Sequence, residues 1–191
     1  SAMLVCPYKI SLERLIGVNK FLLESGANIF DMNVIRKHLS KVKGGGLAKL
    51  LFPAKIVSLI ASDVPGNDLS TIASGPTVID KTTKEQAINI FRKYGLLEKL
   101  DLVEDDFLET PKEEKYFENV SNILLVSNQI ALLAMQEKAK ELGFDAEIFS
   151  DQFQNEARLA GKILIDKEGC VIWTFNPERI KRLIREDLIV R

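Results

Sequence analysis

Four short segments decide the fold of this chain: NVIRKHLSKVKGGGLAKL at 33–50, IVSLIA at 56–61, SDVPGND at 62–68 and TIASGPT at 71–77. The apolar, β-branched run at 56–61 is typical of a buried strand in a parallel sheet. Small, polar and charged residues surround that strand on both sides. This density of polar groups predicts a site for an anionic substrate.

The segment before the strand combines a helical pattern with basic side chains. Spacings of three and four residues predict one buried helix face over residues 31–43, formed by Val34, Ile35, His38, Leu39 and Val42. Arg36, Ser40 and Lys43 fall at i, i+4 and i+7, so they are expected to align along another ridge of that helix. A guanidinium fork and an ammonium both suit carboxylate or phosphate, although a solvated basic face is the simpler alternative.

His38 is the only histidine, and its apolar neighbours predict a core or supporting group and not a catalytic one. Three glycines follow the basic ridge at positions 44–46. Their backbone amides could approach a ligand closely, because no Cβ atoms intervene. The alternative is an ordinary glycine cap at the end of a helix.

Acidic and hydroxyl side chains follow the strand. Asp63 stands at its carboxyl end, where ligands collect in open α/β sheets. Asp63 and Asp68 together could hold magnesium, which prefers one or two carboxylates and substrate oxygens. The alternative for each aspartate is a turn in which the side chain binds its own backbone. Ser74 to Thr77 form a small loop that could present amides to an oxyanion, or an ordinary turn.

Strand and helix patterns alternate along the chain and predict an α/β fold, a Rossmann-like three-layer α/β/α sandwich with a mainly parallel sheet. Further strands are expected at 123–126, 146–149 and 170–175. Helices are expected at 11–25, 47–51, 82–94, 128–142, 155–165 and 177–186, while residues 101–119 are expected to form a surface excursion. Ser11 is expected to cap the first helix and Gly26 to end it, and its buried stripe is expected to be Leu12, Leu15, Ile16, Leu22 and Leu23. Thr82 and Glu85 have the spacing of a capping box for the helix that Gly95 ends, and the helix at 128–142 is expected to carry Ala131, Met135, Ala139 and Leu142 on one face. Residues 1–3 are interpreted as an expression scar, and 4–191 as a single α/β domain with an atypical tail from about residue 167.

Composition limits the classes of partner. The 191 residues are 46% hydrophobic and carry a net charge of −1, which allows a real core and indicates neither nucleic acid nor membrane as a partner. No apolar run is long enough for a spanning helix, and there is no signal peptide pattern. Two distant cysteines, Cys6 and Cys170, predict reduced thiols in a cytoplasmic protein.

Three ordered motifs resemble one known family. SGANIFDMN, RKHLSKVKGGGLA and SLIASDVPGNDLSTIASGPT together look like the glycerate kinases of the MOFRL-associated type. The resemblance spans about residues 4–161, and its specific motifs lie within residues 25–80. It implies phosphorylation of glycerate by ATP with Mg²⁺, usually to 2-phosphoglycerate, in a cleft between two α/β domains.

The resemblance also implies which residues form the site. The positions that match the family's site segments are Arg36, Ser40, Lys43, Gly44, Asp63, Asp68, Ser74, Gly75 and Thr77. Their individual roles are our hypothesis: Arg36 is expected to bind the glycerate carboxylate, while Lys43 and the amides of Gly44 and Gly45 stabilise phosphoryl oxygens. Asp63 and Asp68 are expected near magnesium, or one of them accepts the hydroxyl proton.

The chain departs from the family pattern in three places. Asn67 replaces an acidic residue, a lysine-bearing GKA segment does not precede residue 4, and neither the GGET-type nor the GGRNQE-type motif is present. These departures leave two alternatives to a kinase. One is a non-catalytic, Rossmann-like domain that binds an anion, and the other is a truncated chain that forms a homo-oligomer through open sheet edges.

Overall fold

The computed structural model describes residues 5–153 and residue 159. The chain divides into two units, Ser1–Asp151 and Gln152–Arg191, and all helices and strands given below lie in the first. The helix predicted at 155–165, the strand at 170–175, the helix at 177–186 and the atypical tail lie outside the described residues. A single domain over 4–191 therefore stays a prediction.

Two parallel strands form the sheet of the described residues. Strand β1 (Ile56–Ala61) pairs with β2 (Val120–Val126) in register from Ile56 opposite Val120, with an irregularity between Ile60 and Ala61. Both strands occur where the sequence predicts them, and β2 begins three residues earlier than expected. The α/β class and the parallel pairing are thus confirmed. Residues 146–149 form no strand, contrary to expectation.

The expectation that β1 is buried on both faces is wrong for the described part of the chain. Its side chains alternate between half-buried and exposed, and Val57 and Leu59 are 63% and 65% exposed. One face of the strand is half-buried, and the other is open within the described residues. Strand β1 therefore has one apolar face in solvent.

Six α-helices lie in the described part of the first unit. They are α1 (Leu12–Glu24), α2 (Ile29–His38), α3 (Gly46–Leu51), α4 (Lys84–Lys93), α5 (Leu96–Leu100) and α6 (Asn128–Glu141). Four short 3₁₀ turns lie at Pro65–Asn67, Ile72–Ser74, Glu104–Asp106 and Glu114–Tyr116. Within the described residues, no helix has the length and apolar content needed to cross a membrane.

Helices α1, α2 and α4 surround the main core, and its centre is formed by Leu22, Ile35, Leu39, Phe91 and Phe107. Ser11 caps α1 as predicted, but the stripe that α1 buries differs from the prediction. It consists of Leu15, Val18 and Leu22, spaced by three and four residues, while Leu12, Ile16 and Leu23 are exposed. The predicted stripe included residues on two faces of this helix.

Two local predictions need correction. The capping box of α4 uses Thr83 and Gln86, one residue later than predicted, because the Thr82 hydroxyl instead donates to the Asp80 carboxylate at 2.7 Å. Helix α6 was expected to bury one apolar face. Among its described residues only Asn128 is buried, and the expected face members Met135 and Leu142 are exposed.

The segment 101–119 packs into the structure and is not a surface excursion. Leu102, Phe107 and Thr110 are buried, and the Phe107 ring meets the Phe91 ring edge-on at 5.3 Å between centroids. These side chains are isolated in sequence between charged residues, so they form no detectable period. The segment closes the core beside α2 and α4 and reaches the buried polar cluster described below.

Candidate functional site

The three glycines pack against the loop at residues 74–76. The Gly44 amide donates to the Ser74 carbonyl at 2.8 Å, and the Gly45 amide donates to the Gly75 carbonyl at 2.7 Å. Both amides are therefore satisfied inside the protein. The glycines thereby join two loops of the site, and a role of these amides toward phosphoryl oxygens stays a prediction.

Close packing explains why these positions carry glycine. A Cβ atom on Gly44 would lie 2.8 Å from the Thr110 methyl group, and one on Gly45 would lie 2.7 Å from the Phe117 ring. Gly45 also has a left-handed φ of 83°, which strains any other residue. The glycines allow close approach of protein groups, which the sequence pattern could not distinguish from approach of a ligand.

Two basic side chains lie close together beside this loop junction. The Arg36 Nε donates to the Asn19 Oδ1 at 2.8 Å, and the Lys43 ammonium donates to the Ala73 carbonyl at 3.2 Å. Both side chains are half-buried, and neither forms an ion pair within the described residues. Burial, followed by the charge of Arg36, lowers the pKa of the Lys43 amine, and burial lowers the pKa of the Arg36 guanidinium.

Arg36 and Lys43 both have hydrogen-bond donors that no acceptor in the described residues uses. The terminal nitrogens of Arg36 make no hydrogen bond with the described part of the chain, and Lys43 uses one of its three protons. Two neighbouring positive charges without a carboxylate are an unfavourable arrangement in a half-buried place. An anion bound between them would relieve it.

Ser40 does not share a ridge with Arg36 and Lys43, contrary to the prediction. Helix α2 ends at His38, and the Tyr8 amide then donates to the Leu39 carbonyl at 2.9 Å. This contact and a β-bridge between Pro7 and Ser40 pull the chain out of the helix. Ser40 is buried there, and its hydroxyl accepts from the Val42 amide at 3.3 Å.

The loop that contacts Lys43 contains three consecutive left-handed residues, Ala73, Ser74 and Gly75. Such backbone is strained at Ala73 and Ser74, and strain of this kind persists only where the surroundings enforce it. The Ser74 and Gly75 amides donate to carbonyls within the loop at 2.9 Å each, so they do not face an oxyanion as predicted. The loop instead turns its Ala73 carbonyl toward the Lys43 ammonium.

The hydroxyls at the ends of this loop are also engaged. Ser74 donates to the Asn33 Oδ1 at 3.2 Å, and Thr77 donates to the Asn122 Oδ1 at 2.6 Å while accepting from Ser58 at 3.1 Å. Thr77 thereby connects the loop to both strands. Contacts of Ser74, Gly75 or Thr77 with substrate stay a prediction.

The two aspartates differ in their fitness for a metal. The Asp68 carboxylate accepts hydrogen bonds of 2.9 Å from the Ser70 amide, the Ser70 hydroxyl and the Thr71 hydroxyl, which is the turn alternative. Burial raises the pKa of Asp68, but these hydrogen bonds lower it more strongly, so the pKa lies below its ordinary value. Asp63 is exposed, and its carboxylate has no hydrogen-bond partner in the described chain.

Magnesium therefore fits Asp63, a free carboxylate at the carboxyl end of a strand, better than Asp68, whose oxygens are already occupied. No group of three or more His, Cys, Asp or Glu residues in the described part of the chain is arranged to hold a metal ion. A magnesium site at Asp63 and Asp68 stays a prediction.

A buried polar cluster that sequence reasoning missed lies next to Gly44. Lys37 and Asp80 form an ion pair of 3.0 Å with side chains only 7% and 1% exposed. The Asp80 carboxylate also accepts from the Thr82 amide, the Thr82 hydroxyl and the Thr110 hydroxyl. Burial raises the pKa of Asp80. These hydrogen bonds and the charge of Lys37 lower it more strongly, so the pKa lies below its ordinary value.

His38 is buried, as its apolar neighbours predicted, and it belongs to the same cluster. It is fully buried, with Nδ1 2.8 Å from the Leu108 carbonyl and Nε2 3.1 Å from the Thr82 hydroxyl. Burial lowers the pKa of His38, although Leu108 and Asp80 oppose this. Burial therefore favours the neutral form of the imidazole, whose two ring nitrogens both contact protein groups.

A pH dependence follows from this lowered pKa. An unfolded histidine titrates near 6.5, so between that value and its lower folded pKa the unfolded state binds more protons. Stability is therefore expected to fall as the pH falls from 7 to 5, by at most about 1.4 kcal/mol per pH unit. Urea unfolding at several pH values measures it. Because His38 is the only histidine, a His38→Gln variant should lose this slope, and equal slopes in both proteins would contradict the assignment.

Comparison with known proteins places these features in a family. Residues 1–108 match the family model described as "Domain of unknown function (DUF4147)". The chain belongs to this family. It is 41% identical over 155 residues to the D-glycerate 2-kinase of Thermotoga maritima, an alignment that covers 81% of this chain and 36% of that protein.

Two further similarities add detail to the DUF4147 assignment. A protein of Agrobacterium vitis, provisionally named a hydroxypyruvate reductase, is 44% identical over 167 residues, which are 86% of this chain and 38% of that protein. A crystal structure of glycerate kinase from Thermotoga maritima has a TM-score of 0.66 and 39% identity, covering 84% of this chain and 38% of that one. The resemblance to glycerate kinases is confirmed. The chain spans less than two fifths of the length of these relatives.

Proposed function

We propose that this chain forms the part of a glycerate kinase that binds the glycerate carboxylate. The reaction is transfer of a phosphoryl group from ATP to a glycerate hydroxyl, in the cytoplasm. The observation that carries the proposal is the half-buried pair Arg36 and Lys43, whose positive charges no carboxylate balances in the described residues. Similarity to a D-glycerate 2-kinase supports glycerate as the anion.

Arg36 and Lys43 would divide the work of binding. The terminal nitrogens of Arg36 offer parallel donors that match a carboxylate, and the hydrogen bond that its Nε donates to the Asn19 Oδ1 fixes the guanidinium plane. Lys43 is held by the Ala73 carbonyl and offers two further protons to the same anion or to a transferring phosphoryl oxygen. Phosphoryl transfer requires mainly such positioning and charge neutralisation from a protein.

Asp63 would act on the other side of the substrate. Its exposed carboxylate could contact magnesium, directly or through water, or could accept the proton of the attacking hydroxyl. When bound, magnesium neutralises the charge of the ATP phosphates. Ser40, Gly44, Gly45, Ser74, Gly75 and Thr77 would maintain the shape of the two loops and have no direct role in our proposal.

The first test compares Lys43→Ala with Lys41→Ala, a matched control because the Lys41 side chain is exposed two residues earlier. Loss of a charge-assisted hydrogen bond of about 1.5–3 kcal/mol should raise the Kd for D-glycerate about tenfold or more in Lys43→Ala alone. Titration calorimetry measures it. Lys43→Ala should also be as stable as the wild type, because it removes one of two repelling charges. Unchanged binding in Lys43→Ala would exclude the proposed site.

A coupled assay for ADP release, with D-glycerate, ATP and Mg²⁺, separates an active kinase from a domain that only binds. Turnover that disappears in Asp63→Ala would support the enzyme, and binding without turnover would support the binding domain. Oxidation of NADH with hydroxypyruvate, measured in parallel, tests the reductase activity that the name of the Agrobacterium relative indicates.

The exposed apolar face of β1, with Val57 and Leu59, favours association as a second candidate function. A homo-oligomer formed through this sheet would bury that face. Light scattering across a range of protein concentrations tests it. A monomer at every concentration would exclude association of this chain through the sheet.

A further inference from the structure

Two buried side-chain oxygens in the described part of the chain accept no hydrogen bond, and both lie at one edge of the sheet. They are the Oδ1 atoms of Asn67 and Asn128. Asn67 lies in the loop that follows β1, and Asn128 is the first residue of α6, directly after β2. Because β1 and β2 are parallel neighbours, both strands end at the same edge. Ligands of open α/β sheets bind at this edge.

The amide orientation of Asn128 is determined by its surroundings. Its Nδ2 donates to the Asp63 carbonyl at 3.3 Å, so the opposite orientation would place two acceptors against each other. The Ser62 amide donates to the Val126 carbonyl at 2.8 Å and holds this corner together. Asn128 is only 4% exposed. Its Oδ1 is therefore a fixed, buried acceptor for which the described residues supply no donor.

The start of α6 indicates which kind of donor would complete the site. Ser127 caps this 14-residue helix by accepting from the Ile130 amide, and the amides before it point out of the helix end. A helix N-terminus carries partial positive charge, which favours an anionic group and disfavours a cation. A ligand that meets both features would carry a hydroxyl for the Asn128 acceptor and an anionic group for the helix N-terminus.

We propose that Asn128 binds a hydroxylated anion at the carboxyl edge of β1 and β2, with its Oδ1 accepting a hydrogen bond from a ligand hydroxyl. The hydroxyl belongs either to the ribose of a nucleotide or to a hydroxy acid. The choice of these two ligands rests on the proposed function. The acceptor itself does not, because it shares no residue with the Arg36 and Lys43 pair.

The first experiment observes the unmodified chain. Titration of the ¹⁵N-labelled 191-residue protein with ADP, and separately with D-glycerate, should shift the side-chain amide of Asn128 and the backbone amide of Gln129. The ligand that shifts them identifies the source of the hydroxyl. If neither ligand moves these resonances at millimolar concentration, the proposal is wrong.

The second experiment removes the hydroxyl. If ADP is the ligand, 2′-deoxy-ADP or 3′-deoxy-ADP should bind about tenfold more weakly than ADP, the effect of one lost hydrogen bond in a buried place. If D-glycerate is the ligand, lactate or 3-hydroxypropionate should show the same loss. Equal affinities for the full ligand and both of its analogues would overturn the proposal. This comparison uses only the wild type, so it does not depend on a variant that folds.

The third experiment removes the acceptor. Asn128→Ala should raise the Kd of the full ligand about tenfold and should no longer distinguish it from the analogue that lacks the hydroxyl. Asn89→Ala is the matched control, because Asn89 is exposed on α4. Affinity equal to the wild type in Asn128→Ala would overturn the proposal.

Lys43→Ala separates this inference from the proposed function. If it loses glycerate binding while ADP still shifts Asn128, both proposals hold and describe two sites. If it keeps glycerate binding while Asn128 still responds to ADP, the proposed carboxylate site fails and the Asn128 site stands.

Discussion

Replacing Asp80 with alanine is expected to lower the free energy of unfolding by about 3–5 kcal/mol, because it leaves the Lys37 ammonium buried without its partner. The two side chains are 7% and 1% exposed, so water cannot replace the lost carboxylate. The Thr82 and Thr110 hydroxyls lose their acceptor as well. Urea unfolding monitored by circular dichroism measures the change.

Three variants make this prediction specific. Lys37→Met alone also breaks the pair. Lys37→Met combined with Asp80→Asn removes both charges, so the double variant should lose less free energy of unfolding than the two single variants lose together. Glu141→Ala is the control, because it breaks an ion pair whose side chains, Lys138 and Glu141, are 69% and 57% exposed. That exposed pair should contribute less than about 1 kcal/mol. If Asp80→Ala lowered the free energy of unfolding no more than Glu141→Ala does, the buried ion pair would not be a main contribution to the stability of the site.

The buried pair also shows what a sequence can and cannot reveal. Asp80 follows a short apolar pair in a loop, and Lys37 lies among other basic residues, so neither has a periodic signal. Their partnership joins α2 to a loop 43 residues away. A contact of this kind follows from the tertiary fold and not from local pattern.

Local signals were reliable where a single residue determines the backbone. Ser11 caps α1 through its hydroxyl, and Gly26 and Gly95 adopt the left-handed conformations that end α1 and α4. The position of Asp63 after β1 also followed from a local rule, the end of a short apolar strand. The function of Asp63 does not follow from that position and stays a prediction.

Local signals failed where distant segments compete. The apolar period of α2 continues to Val42, and it predicted a helix that carries Ser40 and Lys43 on one ridge. The helix ends at His38 because the segment at residues 6–8 binds the backbone of the following residues. Arg36 and Lys43 still come together, but they do so across the end of the helix and not along its side.

Replacing Gly46 with alanine is expected to destabilise the protein by about 3 kcal/mol, the upper part of the range for an overpacked site. A Cβ atom at this position would lie 2.1 Å from the Lys41 carbonyl oxygen and 2.7 Å from its carbon. Gly46 starts α3 with ordinary helical backbone, so the loss would come from this contact and not from a left-handed φ. Thermal unfolding of the variant measures the loss.

Gly17→Ala is the matched control, since Gly17 is also a helical glycine without a left-handed φ. Its added Cβ would meet Leu100 at 3.7 Å, an ordinary van der Waals distance. That variant should therefore gain about 0.5–1 kcal/mol from the reduced freedom of the unfolded chain and the better helix propensity of alanine. The two substitutions are chemically identical and are expected to have opposite signs.

The Lys41 carbonyl cannot move aside easily, which is why the Gly46 contact is severe. The Lys41 amide donates to the Cys6 carbonyl at 2.8 Å, and the Gly46 amide donates to the Lys43 carbonyl at 3.0 Å. Any shift that relieves the clash must therefore move the backbone that positions Lys43. Gly46→Ala is expected to weaken D-glycerate binding together with stability, whereas Lys43→Ala weakens binding alone. If Gly46→Ala were as stable as the wild type, the tight turn at residues 41–46 would not hold the Lys43 ammonium in place.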